Sequence, residues 1–288
     1  MSAPSPAVAA RAARVLGWTP TSWRPVTGGY TPAARYVAAA PGREPAFVKV
    51  ATTPVTAAML RREGVIYRRL SAPFMPRLLG WDDHETEPLL IIEDLSDARW
   101  PPPWDAPLVE AVLEQIARLH GMDADLPSFS EVHGAMTRGW ASVAENPAPF
   151  LSLGLAAPEW LTRSLPGLIE AETACPLEGS APVHFDLRSD NLCRANSGVK
   201  FIDWAAASLG NPRLDLGGWL PSLAFEGGPP PDDILPDAPE IAAWVSGYFA
   251  ARAGLPIIAD APFVRRVQRE QLSTALPWAI RALKLTEP

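Results

Sequence analysis

Residues 183–204, VHFDLRSDNLCRANSGVKFIDW, constrain the fold more than any other stretch of this chain. His184, Asp186 and Asn191 form an H-x-D-x-x-x-x-N pattern, and Asp203 closes an apolar run twelve residues after Asn191. The residues between Asn191 and Asp203 read as a β-hairpin. Leu192 and Cys193 begin one strand, Ala195-Asn196-Ser197-Gly198 supplies turn chemistry, and Val199-Lys200-Phe201-Ile202 returns as the second strand. Such a hairpin brings Asn191 and Asp203 close together.

That cluster suits phosphoryl transfer, in which a protein holds magnesium on nucleotide phosphates and aims a hydroxyl at the terminal phosphorus. A hard divalent cation takes oxygen ligands, and one carboxylate plus one amide oxygen leaves room for phosphates and water. Asp203 and Asn191 are therefore the expected metal ligands. Asp186 is expected to orient the acceptor hydroxyl and take its proton. The competing reading is a polar loop, because Asp and Asn are favoured in turns. The stretch resembles the catalytic and metal-binding segments of aminoglycoside phosphotransferases, small-molecule relatives of the protein kinases.

The N-terminal third supplies independent support. A short Ala-rich helix at 5–17 precedes three strands, Trp23–Val26, Ala34–Ala38 and Pro45–Val50. The connector Thr27-Gly28-Gly29-Tyr30-Thr31 reads either as a Gly-rich loop that brings backbone N–H groups to phosphates or as a plain hairpin turn. Lys49 lies in the third strand on the same face as Phe47. In the next helix, an apolar stripe of Met59, Ile66, Tyr67 and Leu70 turns Glu63 inward, so Lys49 and Glu63 form a natural pair. The alternative is a snorkelling lysine beside an exposed Glu63. The order of loop, strand lysine and helix glutamate matches the resemblance. It implies that Gly28, Gly29, Tyr30, Thr31, Lys49 and Glu63 serve the nucleotide. It also implies that Glu93, Asp94 and Leu95, ending the strand-like run PLLIIEDL at 88–95, contact the base through main-chain atoms. The Trp100-Pro101-Pro102-Pro103-Trp104 segment reads as a linker, which gives an expected nucleotide-binding lobe over 1–95 and a catalytic and substrate-binding helical lobe over 96–288.

Beyond the linker, Leu108, Val112, Leu113, Ile116 and Leu119 mark an amphipathic helix with His120 near its end, a histidine expected to be satisfied there. Residues 140–175 read as helical but broken by Pro147, Pro149 and Pro166. Asp215 falls in a segment that resembles the family's Gly-x-Pro-x-x-Asp-Leu, and the resemblance gives it and His184 supporting roles beneath the catalytic loop. Arg188 stands where many protein kinases carry a lysine; it either neutralises transition-state charge or is a solvated arginine. Trp204, Ala205 and Asn211 depart from the relatives' usual residues. The acids Glu226, Asp232, Asp233, Asp237 and Glu240 line a Pro-rich stretch that reads either as a wall attracting a polycationic acceptor or as a solvated surface loop. Helices near 239–252, closing at Gly254, and 261–285 complete the chain, with Trp244, Tyr248, Phe249 and Trp278 as core.

Composition narrows the class. With 288 residues, 48% hydrophobic and 20% charged, the chain can bury one large core or two smaller ones, and two lobes are expected. A net charge of -7 gives no basic footprint for nucleic acid or an anionic membrane, and a cationic or neutral small substrate is easier to accommodate. Cys175 and Cys193 lack metal-ligand spacing and suit buried positions in a reducing cytoplasm. Arg11 and Arg14 interrupt any apolar leader, and no stretch has the length of a membrane span. The resemblance implies an α+β, bilobal protein-kinase-like fold with a small antiparallel-sheet N-lobe and a larger, mostly helical C-lobe. It implies an enzyme using ATP or GTP with Mg2+ to phosphorylate a hydroxyl of a small molecule. Aminoglycosides or similar antibiotics, with antibiotic resistance as the consequence, stand beside a metabolic amino alcohol, sugar or amino-acid hydroxyl as acceptors. A non-enzymatic nucleotide-binding protein is the third reading, and both a monomer and a homodimer fit.

Overall fold

The computed structural model describes residues 3–29, 31–134, 138–259 and 261–288. The chain forms two compact units, Met1–Pro101 with Asp190–Ala207, and Pro102–Ser189 with Ser208–Pro288.

The first unit opens with helix α1 (Pro6–Leu16), started by the Ser5 side chain accepting the Val8 N–H and stopped at Gly17. Strands β1 (Ser22–Pro25), β2 (Ala34–Ala39) and β3 (Ala46–Val50) follow, close to the expected bounds. Helix α2 (Pro54–Arg69) starts at a capping box made by Thr53 and Thr56. Two more strands, β4 (Leu78–Asp82) and β5 (Leu89–Glu93), complete an antiparallel sheet in the order β1-β2-β3-β5-β4. Strand β4 escapes sequence reading for a physical reason. All five of its residues are half-buried, and a register shift between Leu78 and Gly80 breaks the period-two alternation.

Strand β3 alternates as expected. Ala46, Val48 and Val50 are buried with Val8 and Ala12 of α1 and with Leu89 and Ile91 of β5, which leaves Phe47 and Lys49 on the opposite face. In α2 the buried stripe is Leu60, Glu63, Gly64, Ile66 and Tyr67, with Leu70 buried as the C-cap; Met59 is only half-buried, because Leu60 takes its place against the core.

The second unit begins with α3 (Ala106–His120), capped by Asp105, and continues through α4 (Phe129–His133), α5 (Gly139–Glu145), α6 (Ala148–Leu151), α7 (Pro158–Ala174) and strand β6 (Ala181–Val183). Pro166 does not break a helix as expected; it sits inside α7, where buried Trp160, Leu161 and Leu168 hold the turns on both sides of it. Buried Glu172 of α7 accepts the Gly139 and Trp140 N–H groups, so a side chain satisfies the first amides of α5.

Strands β7 (Leu192–Ala195) and β8 (Gly198–Phe201) pair as the expected hairpin and belong to the first unit. There the Phe201 N–H donates to the Phe74 carbonyl, and the Phe74 ring lies 6.0 Å from Trp204. The chain then returns to the second unit as β9 (Ser208–Gly210), paired antiparallel with β6, and helices α8 (Arg213–Phe225), α9 (Pro231–Ile234), α10 (Pro239–Ala253) and α11 (Val264–Ala282). Helix α10 is buried on most of its surface, including Trp244 and Phe249. It closes at Gly254 without the left-handed cap that glycine usually provides. The need for glycine there is steric, since a Cβ would sit 1.9 Å from the Pro149 carbonyl oxygen.

Candidate active site

In the first unit, the Lys49 Nζ donates to Glu63 Oε2 at 2.7 Å and to Asp203 Oδ1 at 3.1 Å. Three elements supply the trio: strand β3, helix α2 and the end of the β7–β8 hairpin. Glu63 is 2% exposed and Lys49 12%. Burial pulls the Lys49 ammonium down, but the Asp203 and Glu63 carboxylates together outweigh it and hold the group above the usual lysine range. Burial also raises Glu63, against the opposing pull of Lys49. The short contact and the raised lysine describe a charged ammonium bridging two acids.

Asp203 adopts a left-handed backbone, φ 64 and ψ 57, uncommon for a residue with a side chain. Its neighbours hold it there. Ile202 N–H donates to the Asn191 carbonyl at 2.8 Å, and the buried Trp204 indole N–H donates to the Phe201 carbonyl at 2.8 Å. The hairpin thus sets the Asn191 backbone beside the residue before Asp203, as the spacing predicts. An amide and a carboxylate oxygen are hard donors, and no group of three His, Cys, Asp or Glu residues able to hold a metal occurs among the described residues. As donor types, an amide and a carboxylate oxygen suit a hard divalent cation.

Gly28 and Gly29 both take positive φ, and Tyr30 lies outside the described residues. Thr31 is held by Arg35 of β2, whose guanidinium donates to the Thr31 carbonyl and Oγ1 and to the Ala33 carbonyl. At the end of β5, Glu93 N–H donates to the Arg77 carbonyl, and the Glu93 carboxylate accepts from the Arg77 N–H. Asp94 accepts from Ser96 Oγ at 2.6 Å, and the Leu95 carbonyl accepts from Ala98 N–H and the Trp100 indole.

In the second unit, Asp186 follows Phe185, whose φ is 65. Asp215 over-determines that turn: its fully buried carboxylate accepts the His184 N–H at 3.0 Å and the Phe185 N–H at 2.6 Å, and it pairs with His120 Nε2 at 2.9 Å. His120 is therefore satisfied at the end of its helix, as expected. Strained backbone persists where surroundings enforce it, and it clusters at functional sites. Asp186 keeps its side chain 35% exposed and is ion-paired with Arg188, so that arginine is not simply solvated. Ser189 Oγ donates to Glu226 Oε1, and the Trp104 indole donates to Glu226 Oε2 at 2.8 Å. Arg213 pairs with Glu240 and Arg281 with Asp232. Three of the five acids at 226–240 thus have internal partners.

The structure gathers Lys49, Glu63, Asp203 and the Asn191 backbone in one unit, and Asp186, Arg188, His184 and Asp215 in the other. Sequence reasoning misses Arg35, although its place one residue past a strand start, after a Gly-Gly loop, is visible there.

The comparisons agree with this architecture. The phosphotransferase enzyme family model, APH, matches residues 22–253. The chain belongs to that family. No curated protein matches. Among solved structures, a Haemophilus somnus 129PT protein provisionally assigned as a fructosamine-3-kinase is 12% identical, with 96% of this chain and 95% of that chain covered at a TM-score of 0.52. A type I macrolide 2'-phosphotransferase is 13% identical, with 98% and 94% covered at 0.51. A spectinomycin phosphotransferase, solved with ADP and spectinomycin, is 13% identical, with 97% and 94% covered at 0.51. At these identities the likeness establishes a kinase-like phosphotransferase fold. No helix among the described residues is long and apolar enough to cross a membrane.

Proposed function

We propose that this phosphotransferase moves the γ-phosphoryl group of ATP or GTP to a hydroxyl of a small molecule in the cytoplasm. The observation that carries this reading is the Lys49–Glu63–Asp203 trio, because a lysine buried between two acids has a use at phosphates that it lacks in a core. Lys49, held in place by Glu63, contacts the α- and β-phosphates beneath the Gly28–Thr31 loop. Asn191 and Asp203 would hold Mg2+, which would supply positive charge at the phosphates. The segment Glu93–Leu95 receives the base through main-chain groups. Asp186, on a turn fixed by Asp215, orients the acceptor hydroxyl and takes its proton. Arg188, now paired with Asp186, is close enough in sequence to offset charge on the transferred group.

For the acceptor, the macrolide and spectinomycin phosphotransferases among the solved neighbours support an aminoglycoside or similar antibiotic, with resistance as the biological outcome. One observation favours a second reading. Glu226, Asp232 and Glu240 are occupied by internal partners, which weakens the case for an acidic wall drawing a polycation and supports a neutral or singly charged metabolic hydroxyl compound. A nucleotide-consumption assay with magnesium across aminoglycosides, macrolides, amino alcohols and sugars tests both. Turnover with one class, lost in Asp186→Ala and Asp203→Ala while the variants stay folded, is the expected result. Folded variants that keep full activity overturn the assigned roles.

A further inference from the structure

We infer that Arg35 is a phosphate-binding residue, a second cation that grips the nucleotide's phosphates with Lys49 while the Gly-rich loop serves as its clasp. This rests on the nucleotide-site reading above and assigns it a residue that no sequence motif marks.

Strands β2 and β3 are antiparallel, and Arg35 stands directly opposite Lys49. Opposed residues in such a pair project from the same face. That face is the one bearing Phe47 and Lys49, opposite the face where Val48 and Val50 are buried with α1. Like charges directly across a strand pair are unfavourable. The cluster offsets them with two carboxylates, Glu63 and Asp203, and the field of Arg35 is felt at both Lys49 and Glu63. Two cations on one sheet face, matched by acids from α2 and from the end of the β7–β8 hairpin, cost more than a core needs and suit a polyanion that arrives with its own cation.

The loop completes the case. Three hydrogen bonds fix the guanidinium through its two terminal nitrogens, at 3.3 and 2.9 Å to the Thr31 and Ala33 carbonyls and 3.2 Å to Thr31 Oγ1. Gly29 has φ +76, and a Cβ there would lie 2.6 Å from an Arg35 terminal nitrogen. The positive φ favours glycine there, and its missing side chain lets the loop backbone lie against the guanidinium in its present position. Those bonds use both Nη1 hydrogens and one on Nη2, so the Nε–H and the second Nη2 hydrogen form the planar donor pair for phosphate oxygens, whereas an ammonium acts as a point charge, and Arg35 and Lys49 divide the work rather than duplicate it.

Isothermal titration calorimetry on the full chain, with Mg2+ and the non-hydrolysable triphosphate AMP-PNP or with adenosine, tests the inference. Arg35→Met is expected to weaken AMP-PNP binding by about ten- to a hundredfold, the range of one charge-assisted hydrogen bond, and adenosine by less than about twofold. Arg35→Lys is expected to fall between, because it keeps the charge and loses the fork. Unchanged AMP-PNP affinity in Arg35→Met overturns the inference. Equal losses for both ligands also overturn it, by showing that Arg35 only supports the loop. If Arg35→Met fails to fold, Arg35→Lys decides, and full triphosphate affinity in that variant overturns the paired contact. Wild-type protein that binds neither ligand overturns the nucleotide-site reading itself, a result distinct from any effect confined to the variants.

Discussion

Removing the Asp215 carboxylate probes how the structure holds its proposed catalytic turn. The side chain is fully buried and serves three donors: the His184 and Phe185 amides and His120 Nε2. Asp215→Ala leaves two backbone N–H groups in the interior without their acceptor. An unsatisfied buried donor costs roughly 1–3 kcal/mol, so the two amides alone account for about 2–6 kcal/mol. That is a large share of the roughly 5–15 kcal/mol that holds a typical domain together. His120→Ala is the control, because it removes one partner that is 15% exposed and leaves both amides bonded; about 1 kcal/mol is expected. Urea denaturation followed by tryptophan fluorescence measures both variants. Asp215→Ala should also slow turnover more than it changes nucleotide affinity, because the freed Phe185 no longer has to hold φ 65 and Asp186 loses its aim. An Asp215→Ala cost no greater than that of His120→Ala refutes the reasoning, since it would mean that the amides find other acceptors at no cost.

Two further outcomes follow from the charge arrangement and the cysteines. Lys49 has a folded pKa above the ordinary 10.5, so its contribution to stability is fully present below that value and is lost as pH rises through the raised one. Urea midpoints should fall above about pH 10.5 more steeply in the wild type than in Lys49→Met, and parallel curves would contradict the pairing. Burial pushes both Cys175 and Cys193 up to about 12. At pH 8 neither thiol should react with a disulfide reagent until denaturant is added, and rapid labelling of folded protein would contradict their inert placement.

The sequence alone determined the parts whose physics is local. The hairpin from Leu192 to Phe201 follows from its turn residues and alternating strands, and the inward turn of Glu63 follows from helical period. The face carrying Lys49 follows from strand period, and with helical period it gives the Lys49–Glu63 pair; that Asp203 joins the pair is decided by the folded chain. Other features were hidden because tertiary contacts overrode local preference. Strand β4 lost its alternation to a bulge, Pro166 was tolerated because burial on both sides holds α7 together, and the acids at 226–240 found partners as distant as Ser189 and Arg281. Arg35 is the instructive case. Nothing within a few residues marks it, and its meaning comes from standing across a strand from Lys49 and under the glycines of the preceding loop. Period and turn chemistry act over a few residues and can be read from sequence. Which charges meet across strands and loops depends on register and close approach, which only the folded chain decides.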